Sequence, residues 1–153
     1  MALTKAHLVG AWTFVDWSIT TNPGTTSARA SRPFQPAPSG YIVYAADGIM
    51  SAVIQAGGRA KFPSADIRKR PDAEKANAFD GYFHYAGTWH VDGQNVVHTV
   101  TTALNPNMIG TQQVRHVHLN GDTLTLSAEE ALEGGKGTRR HELIWQRHKT
   151  TGT

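Results

Sequence analysis

The chain has 153 residues, no cysteine, and a formal charge of +3 from 15 Lys and Arg against 12 Asp and Glu. That length suits a single domain over 1–153 with one hydrophobic core. Without cysteine, disulfide staples, thiolate catalysis and Cys-based zinc sites are excluded, and with no basic patch interleaved with aromatics, nucleic acid is not an expected partner.

The opening residues, Met1 to His7, contain no apolar run of signal-peptide length. No segment approaches the ~20 apolar residues of a membrane span, so the expectation is a soluble, cytoplasmic protein with no membrane partner. Residues 8–20, rich in Trp, Phe, Val, Ile and Thr, read as a long first strand. Residues 21–39 hold Pro23, Pro33, Pro36 and Pro38, which a central strand would not tolerate, so this segment is expected to cross a barrel mouth. Two short strands at 41–44 and 49–54 flank Asp47-Gly48, a hairpin signal. Residues 71–79 form the only helical candidate, with Pro71 and acidic residues at its start. Strands follow at 82–91, 95–104, 110–119, 122–131 and 138–147, separated by Asp92-Gly93, Asn105-Pro106-Asn107, Asn120-Gly121 and a glycine-rich hairpin loop at 134–137. The pattern predicts an all-β, eight-stranded antiparallel up-and-down barrel, with one short helix inserted after the third strand as a partial lid. Gly10-x-Trp12 at one end of the chain and Trp145-x-Arg147 at the other predict that the Trp12 indole plugs the barrel and Arg147 stacks on its face.

The chain resembles the lipocalin-like domain family, the short bacterial and fungal barrels of the calycin group. The resemblance spans about residues 8–148. It rests on Gly10-x-Trp12, Gly40-Tyr41-Ile42-Val43-Tyr44 with Asp47-Gly48, Tyr85-x-Gly87, Val97-His98, Asn105-Pro106-Asn107 with Gly110, Gln113-x-Arg115 and Trp145-x-Arg147. It implies a barrel with an internal pocket without specifying an activity, because such barrels serve as carriers, haem binders and cofactor-free enzymes.

Strand alternation then nominates the pocket residues. With Trp12 inward, Phe14 and Asp16 share its face and Trp17 points out; Asp16 either lines the cavity or sits solvated at its rim. Val15, Trp17 and Ile19 would form an outward apolar stripe, the basis for expecting a homodimer. His98 and Arg115 are expected inside as a base and an oxyanion-stabilising cation, with Gln113 toward the open end. Tyr44 and Tyr85 offer rings to pack a ligand and hydroxyls to orient it, and Trp89 would be an aromatic wall on the face of Tyr85. His116 and His118 share a face that alternation turns outward, so no metal is expected, and nothing marks the propionate partners of a haem. The functional expectation is therefore a cofactor-free barrel that binds a small, largely apolar, aromatic or polyketide-like molecule. The alternative is an isomerase, cyclase or dehydratase using His98 as acid–base, with Arg115 or a tyrosine such as Tyr85 at the oxyanion.

Overall fold

Short β-branched and aromatic runs separated by tight turns have one economical solution, a sheet that closes on itself and leaves no free edge. A computed structural model describes residues 2–150, so Met1 and residues 151–153, which the single-domain expectation includes, lie outside the described residues. In chain order the elements are α1 (Lys5–Leu8), β1 (Gly10–Thr21), β2 (Arg29–Ser31), β3 (Ser39–Tyr44), β4 (Ile49–Gln55), α2 (Asp72–Asp80), β5 (Tyr82–Asp92), β6 (Asn95–Ala103), β7 (Gln112–Asn120), β8 (Thr123–Ala131) and β9 (Thr138–Arg147). Consecutive strands from β3 to β9 pair antiparallel, β1 pairs with β3, and β1 also pairs with β9, which closes an eight-stranded barrel. No helix among the described residues is long and apolar enough to cross a membrane.

Two expectations need correction. The proline-rich segment contains the three-residue strand β2, which pairs with the end of β1, so the helix follows the fourth strand and not the third. The helix is also not a lid. None of its residues is buried, and none lines the barrel cavity. From the proline-rich segment, the Phe34 ring packs edge-on against Trp17 at 5.7 Å.

The closed end forms as the two termini of the barrel predict. Trp12 is fully buried, and its indole N–H donates to the Leu8 carbonyl at 2.9 Å. Register places Arg147 opposite Trp12, and the guanidinium carbon lies 4.1 Å from the indole centroid. Arg147 also donates to the carbonyls of Val9 and His7, tying α1 across the barrel base. Gly10 is required at this junction: its φ of +123° disfavours any side chain, and a Cβ would press within 3.4 Å of Arg147 Nη1. Above the plug, Ile42, Met50, Ile54, Val100, Val117 and Leu124 are almost wholly buried.

Replacing Trp12 by Ala should cost about 3–5 kcal/mol, the range for deleting a buried large aromatic, and Arg147→Ala should cost less. Because the two side chains touch, the double variant should fall short of the sum, which urea denaturation in a double-mutant cycle will measure.

Candidate functional site

The site begins with one extra residue in β1. Phe14 pairs with Trp145 but Asp16 pairs with Ile144, so Val15 is bulged out of the β1–β9 ladder and the inside–outside alternation changes phase. Asp16 is thereby turned away from the cavity and forms an ion pair with Arg32 at 3.3 Å on the outer surface. Trp17, expected outside, lines the cavity. The outward stripe that suggested a homodimer is broken at its centre by the same shift.

The barrel encloses a cavity of about 560 Å³, in the usual range for a small-molecule site. Its wall combines aliphatic residues with the rings of Trp17, Phe83, Tyr85 and Trp145. Phe83 stands edge-on to Tyr85 at 5.6 Å and tilts against Trp17 at 5.9 Å, which joins mouth and depth in one aromatic surface. The indole N–H of Trp145 is buried and meets no acceptor among the described residues.

At the inner end His98, fully buried, lies between two phenols. Tyr44 Oη is 2.7 Å from its Nε2, and Tyr85 Oη is 2.6 Å from its Nδ1. Alternation brings this about: Tyr44, Tyr85 and His98 all point inward from β3, β5 and β6. Gly87 shares the inward face of Tyr85, and a Cβ there would collide with the Thr99 carbonyl, so glycine permits the close approach of β5 and β6 where Thr101 bulges. Burial, aided by the nearby Arg115 charge, lowers the His98 pKa to about 3, so the imidazole is neutral. Burial likewise pushes the Tyr44 hydroxyl well above its ordinary value, with a smaller contribution from Tyr85, and raises Tyr85, while the Arg115 charge opposes both shifts.

Arg115 lines the cavity on β7. Its guanidinium donates to Gln113 Oε1 at 3.1 Å and to the Val114 carbonyl at 3.1 Å, and among the described residues no carboxylate lies within ion-pair distance. Gln113, the expected neighbour, spends its amide N–H on Thr111 Oγ1 and its oxygen on Arg115, and so acts as the strut of the cation. Charges of both signs gather at the mouth. Trp17 Nε1–H donates to His141 Nδ1 at 3.2 Å, which leaves the imidazole proton on Nε2, 3.1 Å from Glu130 Oε1. Arg139 pairs with the same carboxylate at 3.3 Å.

Of the residues nominated from sequence, Tyr85, His98, Gln113 and Arg115 line the cavity together. Tyr44 touches His98 from behind and is not part of the lining. Trp89 is not a cavity wall either: it lies toward the closed end, 4.8 Å from Tyr44, under Lys5 at 5.6 Å, with its indole N–H on the Ala45 carbonyl. Gly87, lacking a side chain, separates it from the Tyr85 level of the same face. Sequence reasoning missed Trp17, Phe83, His141 and Met108. Phe83 and His141 were accessible, since they share the parity of Tyr85 and of Trp145; Trp17 was hidden by the bulge, and Met108 by the 3₁₀ turn Pro106–Met108 that carries it to the cavity. His116 and His118 are exposed on the outer face as alternation requires.

The profile of the lipocalin-like domain family matches residues 9–148. The chain belongs to this family. It is also 31% identical over 106 residues to the 4'-hydroxy-3'-methoxypropiophenone carrier protein of Aspergillus oryzae, an alignment covering 64% of this chain and 96% of the relative.

The buried neutral His98 makes this lipocalin-like barrel acid-sensitive. Its folded pKa lies below the unfolded value near 6.5, so the unfolded chain takes up a proton that the folded one refuses. The stability contributed by neutral His98 is complete above pH ~6.5 and falls as the pH drops toward about 3, by at most ~1.4 kcal/mol per pH unit. The raised phenols act in the opposite sense, removing stability as the pH climbs above ~10. Chemical denaturation across pH will show both arms, and His98→Gln should flatten the acid arm by one proton.

Proposed function

We propose that this lipocalin-like barrel is a carrier that holds one small aromatic molecule of the phenolic-ketone kind within its cavity. The observation that carries the proposal is the pairing of an aromatic wall with a few polar groups at fixed positions, Tyr85 and His98 at depth and Arg115 beside them. Such a lining buries an aromatic ring by area and orients it by one or two hydrogen bonds. The relative of Aspergillus oryzae carries a ligand of this class by its name, and its match spans nearly all of its own length.

The enzymatic alternative, a cofactor-free isomerase, cyclase or dehydratase with His98 as base and Arg115 or Tyr85 at the oxyanion, fits the geometry less well. Both ring nitrogens of His98 already have phenol partners, and a base whose conjugate acid has a pKa of about 3 accepts protons poorly at neutral pH.

Titration with 4'-hydroxy-3'-methoxypropiophenone, followed by calorimetry and by quenching of tryptophan fluorescence, should give saturable binding of a single ligand. Ala128 lines the cavity on β8, and Ala128→Trp should fill the ligand volume and weaken binding at least about tenfold, ~1.4 kcal/mol. Absence of binding to the wild type, or undiminished binding to a folded Ala128→Trp variant, overturns the proposal.

A further inference from the structure

Resting on the reading that the cavity takes an aromatic ligand, we infer that Tyr44, His98 and Tyr85 form a one-way hydrogen-bond relay that aims the Tyr85 O–H into the cavity. The ligand is then held by an oxygen acceptor, a ketone carbonyl, and not by a donor.

The direction follows from counting protons. A neutral imidazole has one N–H and one lone pair, so its two phenol partners cannot play the same role. Tyr44 is fully buried behind the cavity lining, packed on Trp89, and its hydroxyl has no partner but His98 Nε2 among the described residues. If Nε2 carried the proton and Tyr44 accepted it, the Tyr44 O–H would be left buried and unpaired, with its full desolvation penalty. Tyr44 therefore donates to Nε2, the imidazole proton sits on Nδ1, and Nδ1–H donates to Tyr85 Oη. The proton of Tyr85 is left over. No other side-chain or backbone acceptor among the described residues bonds this hydroxyl, and Tyr85 lines the cavity, so the free O–H belongs to the ligand. Accepting from Nδ1–H also polarises the phenol and makes it a stronger donor.

The rest of the inner cavity has the same polarity. Arg115 adds guanidinium N–H groups, and the neighbouring amide oxygen, Gln113 Oε1, accepts from Arg115 itself. The carboxylates of Glu129 and Glu130 lie at the mouth, paired with Arg140, Arg139 and His141. A ligand group that only accepts finds donors at depth. One that must donate finds nothing, and its unpaired proton disfavours that pose. Tyr44, which does not line the cavity, is a positioning residue that sets the polarity of the relay.

The test compares 4'-hydroxy-3'-methoxypropiophenone with its propyl analogue, in which a methylene replaces the carbonyl, by calorimetry on the wild type, Tyr85→Phe and Tyr44→Phe. The wild type should prefer the ketone by about tenfold or more, the discrimination expected for one hydrogen bond in a dry site. Tyr85→Phe should erase that preference by weakening the ketone alone. Tyr44→Phe should reduce it with Tyr85 intact, because His98 is then free to move its proton to Nε2 and draw the Tyr85 O–H back onto Nδ1. The infrared carbonyl stretch of the bound ketone should lie lower in the wild type than in Tyr85→Phe. Equal affinity of the wild type for the two probes, or an unchanged preference in folded Tyr85→Phe, overturns the relay while the aromatic-carrier reading stands. Failure of both probes to bind the wild type overturns both. The wild-type comparison needs no variant, so equal affinity overturns the relay even if a substitution unfolds the barrel.

Discussion

The seam between β1 and β9 is the constraint on which the molecule depends. Without it the sheet would expose two long edges and have no enclosed interior. With it, one register does three things. It sets Arg147 over Trp12 and closes the base. It inserts the bulge at Val15, and through that bulge it turns Trp17 into the cavity and Asp16 out to Arg32. The plug and the mouth are thus opposite ends of the same pair of strands, and a slip of one residue would disturb both.

The interior made by that closure is not uniformly apolar: a neutral imidazole is matched to two phenols at depth, and the Arg115 cation beside them has neutral acceptors only. His98 is kept neutral by burial and by the Arg115 field, and its two nitrogens are matched by phenols. Among the described residues Arg115 is the one cation in the inner wall, and it is steadied by Gln113 and a backbone carbonyl and not by a carboxylate. Its field therefore reaches Tyr44, Tyr85 and His98 without being cancelled by a counter-ion at contact. A cavity of this kind suits recognition of a partial negative charge, such as a carbonyl oxygen, more than the handling of full charges or the removal of protons.

Much of the fold was legible because its signals are local. Proline and glycine punctuation, Asp-Gly and Asn-Gly turns and two-residue alternation located all eight barrel strands to within a few residues, and the Trp12–Arg147 pairing followed from their places at the two ends. Parity also placed Tyr85 rather than His84 inside, and Arg115 inside with His116 outside, since those strands have no phase change at the residues concerned. The helix was found, but its role was not. A segment with no buried residue has no pattern that says where it lies, and α2 settled beside β5 instead of across the mouth.

What the sequence by itself determined, then, is the set of side chains facing inward from each regular strand, because alternation is a property of the chain and needs no partner. Depth and contact were decided by the tertiary structure alone. Trp89 and Tyr85 share one face of one strand, yet one lies under Lys5 near the closed end and the other borders the cavity, a difference that depends on strand tilt and on where the base is sealed. The bulge at Val15 arises from fitting β1 to β9, residues far apart in the chain, and no local motif announces it. The joining of Tyr44 and Tyr85 to opposite nitrogens of His98 needs three strands held at fixed spacing, and it turns three ordinary inward residues into a group with a direction.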